Sequence, residues 1–265
     1  MTARAFESRL VCTGCGAEAE RDDPFAFRCP AAEEEAGEKG DHVLARELDL
    51  TETSFPQPSE EDGGNPFVRY RELLHSWRLA RRRGMPDAGY VRLVHELDGA
   101  VAEVDGRGFV VTPYARNEAL GKELGLESGG WGGPSGGRGG LSGGRGGLWI
   151  KDETANVAGS HKARHLMGLA LLFEVAKRTG DARPVRLAVA SCGPAALAAA
   201  VIARASARPL DAYIPPNANE VVVRNLMDLG AKLHVCERPA DGPPGDPCQH
   251  RFREAVRPGG TGALP

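Results

Sequence analysis

The sequence predicts an α/β fold in which a parallel β-sheet is flanked by helices. Strand-like runs alternate with helical patterns and short turns between residues 148 and 236. Because strands that alternate with helices form crossover units, their sheet is expected to be parallel and covered on both faces. Apolar residues make up 41% of the 265 residues, which is enough for a buried core of this kind.

Periodicity and boundary residues define each element. Ser160 is suited to cap a helix whose apolar residues recur at helical spacing and which ends before Gly180. Short runs rich in β-branched and apolar residues predict the strands. The predicted strands are Leu148–Lys151, Arg186–Ala190, Leu210–Ile214 and Lys232–Cys236, and the helices between the later strands are 194–206 and 219–229.

Residues 66–98 also have the pattern of a helix. The cations Arg81–Arg83 suit the C-terminal end of a first helical stretch, where the helix dipole is negative. Gly84 follows as a residue that ends helices. The arginine run is also compatible with a nucleic-acid patch, although a basic last helical turn is the more common origin of such a run. The apolar positions at helical spacing are Phe67, Tyr70, Leu73, Leu74, Trp77 and Ala80.

Composition divides the chain into four parts. Residues 1–30 predict a short zinc-ribbon-like module, and residues 31–65, with eleven acidic and two basic side chains, predict a solvated linker. The α/β region spans 66–238 and includes a glycine-rich insertion at 129–147, where twelve glycines in nineteen positions make ordering costly. Residues 239–265, rich in Pro and Gly, predict a disordered or aberrant tail.

Charge and hydropathy exclude several classes of protein. A net charge of −3 is too small to indicate a polyanionic partner, so nucleic acid binding is not expected from charge alone. No stretch approaches the ~20 apolar residues of a membrane span, and the first residues lack the apolar core of a signal peptide. A cytoplasmic protein without a membrane partner is therefore expected.

The N-terminal cysteines are spaced like metal ligands. Cys12 and Cys15 form a Cys-x-x-Cys knuckle that suits tetrahedral zinc, and Cys29 would supply a third thiolate. A complete site needs a fourth ligand, for which His42 is the nearby candidate. The alternative is a vestigial knuckle that holds no metal.

Lys162 is the principal candidate for chemistry. It is expected in the first turn of the helix that follows the turn Asn156–Ser160. A helix N-terminus carries partial positive charge, which favours the uncharged amine that attacks a carbonyl and also attracts anions. Most lysines are solvated surface charges, so position alone permits this role without establishing it.

Three segments, in this order, resemble those of fold-type II pyridoxal phosphate (PLP) enzymes of the tryptophan synthase β superfamily, threonine synthases above all. TPYARNEAL (112–120) resembles the family's Thr-Pro-Leu segment, and KDETANVAGSHKARH (151–165) resembles its Lys-Asp-Glu…Asn-x-x-Gly-Ser-x-Lys-x-Arg segment. ASCGPAALAAA (190–200) resembles its Ser-x-Gly-Asn turn. The resemblance covers residues 100–237 and so corresponds to the N-terminal portion of such an enzyme. Several threonine-synthase-like proteins also begin with a similar cysteine module.

The resemblance implies roles for particular residues. Lys162 would hold PLP as a Schiff base. Ser191, Cys192, Gly193 and Pro194 would form the turn that meets the substrate carboxylate and the cofactor. Pro194 stands where the family has asparagine, so the usual hydrogen bond to the cofactor's hydroxyl is not available from its side chain. The family's later glycine-rich phosphate loop is not visible in this sequence.

Three functions are compatible with these observations. The first is a PLP-dependent lyase acting on an amino acid or its O-phosphoryl derivative, by a threonine-synthase-like elimination and replacement, with PLP and zinc as cofactors. Such an enzyme is expected to be a homo-oligomer when full length. The second is a threonine or serine ammonia-lyase. The third, from another class, is an inactive fragment or a small module that binds zinc or, through Arg-Gly-Gly repeats, RNA.

Overall fold

The computed structural model describes residues 8–32, 42–51, 54–59, 62–126, 147–238 and 242–256, together with the backbone of 263–264. The strands in these ranges are β1 (Ser8–Cys12), β2 (Leu44–Leu48), β3 (Tyr114–Arg116), β4 (Trp149–Lys151), β5 (Arg186–Ala190), β6 (Leu210–Ile214), β7 (Lys232–Val235) and β8 (Ala263–Leu264). The helices are α1 (Pro66–Arg69), α2 (His75–Arg82), α3 (Asp87–Asp105), α4 (Glu118–Glu123), α5 (Lys162–Arg178), α6 (Pro194–Ala205), α7 (Glu220–Asp228) and α8 (Pro247–Ala255).

The predicted parallel sheet is confirmed. Its strand order is β7-β6-β5-β8, and each neighbouring pair is parallel. Helices α6 and α7 cross between the paired strands, as the alternating pattern predicts. The alanines of α6 are largely buried between α5 and the sheet, where small side chains allow close approach.

The predicted strand at 148–151 forms, but it does not join this sheet. β4 pairs antiparallel with β3 in a separate two-stranded ribbon, with Ala115 opposite Ile150. Local sequence indicates that a segment is extended, whereas its pairing partner is set by contacts distant in the chain. The ribbon links residues 112–116 to the segment that leads to Lys162.

The predicted helix at 66–98 is broken rather than continuous. After α1 the chain makes a 3-10 turn at Arg71–Leu73, and Leu74 is extended (φ −93°, ψ 134°) before α2 begins. Gly84 (φ 84°) ends α2 as predicted, and α3 then runs to Asp105. The break brings Arg78 against the turn, where its Nε donates to the carbonyl oxygen of Glu72 at 2.9 Å.

Two segments expected to lack structure contain regular elements. Strand β2 lies within the acidic interval 31–65 and pairs antiparallel with β1. Helix α8 and strand β8 lie within the tail 239–265, and Asp246 caps α8 through the Cys248 N–H. All of the glycine-rich insertion except Gly147 falls outside the described residues.

The N-terminal module packs against the α/β region through aromatic rings and arginines. Phe25 stacks on Phe173 of α5 with ring centroids 5.7 Å apart, and Arg183 lies over the Phe25 ring at 4.1 Å. Arg83 donates to the carbonyl oxygen of Asp22 at 2.6 Å, and Arg82 pairs with the Asp22 carboxylate at 3.1 Å. The basic run therefore makes contacts within the protein.

Helix α5 lies at the centre of the main core. Its buried side chains meet those of α2, α3 and α6. Among the described residues, no helix is both long enough and apolar enough to cross a membrane.

Replacing Arg78 by alanine is expected to lower the free energy of unfolding by about 2–4 kcal/mol. The side chain is fully buried and also donates to the carbonyl oxygen of Asp49 at 2.7 Å, so the replacement leaves a cavity and deprives two carbonyl oxygens of a donor. Urea unfolding measures the change. Arg107→Ala, at a half-exposed side chain, is the control and should change stability by less than about 0.5 kcal/mol. Equal losses in the two variants would contradict this role for Arg78.

Candidate cofactor site and metal centre

Lys162 is the first residue of α5, as the sequence predicts. Its backbone N–H donates to Ser160 Oγ at 3.2 Å, although the residue directly before the helix is His161, and the Lys162 side chain is exposed. Helix α5 packs against α6 and passes through a short connection into the start of β5. Its N-terminus therefore lies toward the opposite edge of the sheet, where the carboxyl ends of the strands are.

The turn Ser191–Pro194 lies at this same edge. It leaves β5 and begins α6, with Gly193 extended as the N-cap residue and Pro194 at the first helical position. A proline is well placed there, because the N–H it lacks would have no partner within the helix. In the described part of the chain, the N–H groups of Cys192 and Gly193 donate no hydrogen bond. They are available to an anionic group.

The loop before Lys162 is held by several hydrogen bonds. Asn156 is buried, and its side-chain amide donates to the carbonyl oxygen of Ser160 at 2.8 Å. Val157 is fully buried in the main core. Ala158 has a left-handed conformation (φ 52°, ψ 22°), and its N–H donates to Asp105 Oδ1 on α3 at 3.1 Å.

A second group of contacts holds the start of α5 from the other side. Arg164 donates from Nε to Glu153 Oε2 at 2.9 Å and from Nη2 to Thr112 Oγ1 at 3.0 Å. Burial alone would raise the pKa of Glu153, but hydrogen bonds from Arg164 and Thr112 outweigh it and lower that pKa. Lys151 Nζ also lies 3.6 Å from Glu153. This ion-pair network joins two of the segments that resemble the PLP enzymes.

Sequence reasoning missed the contacts that fix these segments. Glu153, Arg164 and Thr112 all lie in the segments that carry the resemblance, but their mutual pairing is a tertiary contact that no local pattern specifies. Asp105 lies in no such segment. Its only local signal is an acidic side chain at the C-terminal end of a helix, where a negative charge is unfavourable.

A separate apolar cleft of about 370 Å³ lies between α5 and β5. Phe27, Leu166, Phe173 and Phe252 are among its lining residues, whereas Lys162 and the turn Ser191–Pro194 are not. Its mainly hydrocarbon lining does not suit a phosphorylated cofactor.

The structure brings the predicted metal ligands together and includes His42. The ligand atoms of Cys12, Cys15, Cys29 and His42 all lie within 4.8 Å of one another. Cys12 Sγ is 3.6 Å from His42 Nδ1, and Cys15 Sγ is 3.5 Å from Cys29 Sγ. Three thiolates and one imidazole converging in this way form a donor set that suits tetrahedral zinc, so the cluster could hold a metal ion.

Backbone geometry explains the convergence. Cys12 ends β1, and pairing of β1 with β2 places Cys12 opposite Leu44, two residues after His42. A tight turn after Cys12 is closed by the Gly16 N–H on the Cys12 carbonyl oxygen at 2.8 Å, with Gly16 at φ 75°.

The thiols of the cluster differ in acidity. A hydrogen bond from the Cys15 backbone N–H, assisted by that of Gly14, lowers the pKa of Cys12 to about 6 despite burial. Burial raises the pKa of Cys29. A thiolate at Cys12 near neutral pH is suited to begin metal capture.

Part of the chain matches one family of known proteins. Residues 138–263 match the model of the family described as pyridoxal-phosphate dependent enzyme, a segment that contains Lys162 and the turn Ser191–Pro194. No curated protein matches the chain.

Solved structures are only distantly similar. Maize serine racemase shares 17% identity over 60% of this chain and 39% of its own, with a TM-score of 0.37. Threonine deaminase isoform 2 from Solanum lycopersicum shares 14% identity over 63% and 37%, with a TM-score of 0.36. Diaminopropionate ammonia lyase from Escherichia coli shares 16% identity over 63% and 42%, with a TM-score of 0.38. The chain spans about two fifths of the length of these structures.

The metal cluster leads to a direct prediction. Purified protein supplied with zinc should bind about one equivalent, and Cys29→Ser should lose most of it, because one of four ligands is removed. Elemental analysis after gel filtration measures the metal content. Cys192→Ser is the matched control, since its exposed thiol lies outside the cluster and its loss should leave the zinc content unchanged. Equal metal content in wild type and Cys29→Ser would refute the assignment.

Proposed function

We propose that this chain carries the cofactor-binding lysine of a PLP-dependent enzyme that acts on an amino acid or its O-phosphoryl derivative. The observation that carries the proposal is the placement of Lys162, whose exposed side chain begins a firmly held helix at the carboxyl edge of a parallel sheet. Ligands of open α/β sheets bind at this edge. Lys162 also lies inside the segment that matches the family of PLP enzymes.

The residues present fit such a cofactor. Lys162 Nζ would bind it covalently, and the free N–H groups of Cys192 and Gly193 would receive the substrate carboxylate at the start of α6. PLP, when bound, withdraws electrons from the substrate's Cα. Beside it, the uncharged amine of Lys162 would accept a proton from Cα, and the ion-pair network of Glu153 and Arg164 would keep the helix start in place.

Among reactions of this class, we favour a threonine-synthase-like elimination and replacement. Its support is the resemblance of residues 112–120, 151–165 and 190–200 to threonine synthases, together with the cysteine module at the N-terminus. The principal alternative is a threonine or serine ammonia-lyase, which uses the same scaffold. Release of inorganic phosphate from O-phosphohomoserine indicates the first, and release of ammonia from threonine or serine indicates the second.

A non-enzymatic zinc- or RNA-binding module is the alternative of another class. The arginines at 81–83 do not favour a nucleic-acid patch, because each donates a hydrogen bond to an acceptor within the protein. The Arg-Gly-Gly repeats, on which RNA binding would depend, lie outside the described residues except for Gly147. A yellow colour that stays with the protein after gel filtration has removed free PLP distinguishes the enzyme from such a module.

Borohydride reduction of the protein with saturating PLP should attach the cofactor to one peptide, and that peptide should contain Lys162. Lys162→Ala should abolish the attachment with little change in the free energy of unfolding, because the side chain is exposed. Peptide mass spectrometry locates the label. Lys177→Ala, in the last turn of the same helix, is the control and should label normally. A label on Lys151, Lys177 or Lys232 would disprove the assignment.

Replacing Pro194 by asparagine is expected to tighten PLP binding several-fold, the effect of one added hydrogen bond of about 1 kcal/mol. In the family that this turn resembles, an asparagine here contacts the cofactor's hydroxyl. Titration of the yellow band measures the dissociation constant. Pro194→Ala removes the proline without adding an amide, so it should not tighten binding. Equal affinities in the two variants would mean that this turn does not face the cofactor ring.

A further inference from the structure

We propose that Asp105, on α3, is a positioning residue for Lys162 that acts through Ala158. The inference rests on the proposed function of Lys162 as the cofactor-binding residue. It concerns a side chain outside residues 138–263, which match the PLP family, and outside the segments 112–120, 151–165 and 190–200, which resemble it.

The first observation is the backbone of Ala158. Its left-handed conformation (φ 52°, ψ 22°) is costly for a residue with a Cβ atom, and Gly159 follows with φ 59°. Only three residues separate Ala158 from Lys162. Strained backbone persists where the surrounding structure holds it, and such positions cluster at functional sites.

The second observation is the position of Asp105. It is the last residue of α3, where its negative charge opposes the partial negative charge of the helix end. Its side chain is only 14% exposed, so the carboxylate is also largely removed from water. Asp105 is therefore unfavourable in its own helix unless it makes a compensating contact.

One hydrogen bond joins these two locally unfavourable features. The Ala158 N–H donates to Asp105 Oδ1 at 3.1 Å, a charge-assisted bond that stabilises the left-handed residue. Arg107 lies 3.6 Å from the other carboxylate oxygen and balances part of its charge. The bond ties the loop to α3, which belongs to the main core.

The effect reaches Lys162 through the loop's own hydrogen bonds. The Ser160 N–H donates to the carbonyl oxygen of Val157 at 3.2 Å, and Asn156 donates to that of Ser160. Ser160 Oγ in turn accepts from the Lys162 N–H. A loop released at Ala158 would loosen the cap of α5 and with it the direction of the Lys162 side chain.

Hydrogen exchange and PLP titration of Asp105→Ala test the proposal. Exchange of the Ala158 and Lys162 amides should quicken about tenfold, and the dissociation constant for PLP should rise about tenfold, as expected for a lost charge-assisted hydrogen bond. Asp105→Asn keeps an accepting oxygen, so it should restore most of the slow amide exchange and most of the PLP affinity. Adding Ala158→Gly to Asp105→Ala should also restore PLP affinity, since glycine adopts this conformation without strain.

Two controls separate positioning from general stability. The first is Glu103→Ala, at an exposed side chain on the same helix, which should leave both amides and the affinity unchanged. The second is urea unfolding of every variant, which identifies a global loss of structure. A fall in PLP affinity that tracks only global stability, with no rescue by either second change, would overturn the proposal.

The inference and the proposed function can fail separately. If wild-type protein attaches no PLP at Lys162, the proposed function fails, and the two amides still decide the role of Asp105. Faster exchange at Ala158 with an unchanged Lys162 amide would show that the bond anchors the loop without reaching Lys162. Two other results would overturn the proposed role of Asp105. One is unchanged exchange at Ala158, and the other is unchanged PLP affinity despite faster exchange at both amides.

Discussion

Parallel pairing of β5 with β6 and of β6 with β7 is the constraint on which the candidate site depends. Each crossover between parallel strands must return to the edge where the next strand starts, so every turn that leaves a strand lies at the opposite edge. Helix α5 runs back toward the start of β5, and its first residue, Lys162, therefore shares that edge with the turn Ser191–Pro194. Topology thus places both segments at the carboxyl edge of the sheet.

The sheet cannot fix the loop that leads to Lys162, because this loop precedes the first strand of the main sheet. Side chains hold it instead. The ion pair of Glu153 and Arg164 is mostly shielded from water, with 18% and 26% of the side chains exposed, so solvent weakens it less than a surface pair. Charge-assisted hydrogen bonds of this kind contribute roughly 1.5–3 kcal/mol each. The carboxylates of this region thus position the loop and the start of α5, and Lys162 is the residue proposed to carry out the chemistry.

The sequence was most informative where a local pattern matches the tertiary environment. The strands and helices from Ser160 to Val235 were predicted within one or two residues, since buried strands and amphipathic helices impose their periodicity directly. The break at Leu74 was not predictable from periodicity, because it accompanies the burial of Arg78, which also donates to the Asp49 carbonyl oxygen in a distant segment. Strand β2 was concealed by its charges, Arg46 and Glu47, which suggest a linker although its apolar residues Leu44, Ala45 and Leu48 are partly buried.

The N-terminal module and the candidate cofactor site meet on one helix. Phe25 and Phe27 contact Phe173 of α5, and Cys29 follows Phe27 by two residues. A metal ion held by the cysteine cluster would fix this short segment, and with it the two rings that pack on α5. The N-terminus of that helix, which carries Lys162, is held separately by Asp105, Glu153 and Thr112. The N-terminal module and the contacts around Lys162 therefore bear on the same helix, the former at Phe173 and the latter at its first turn.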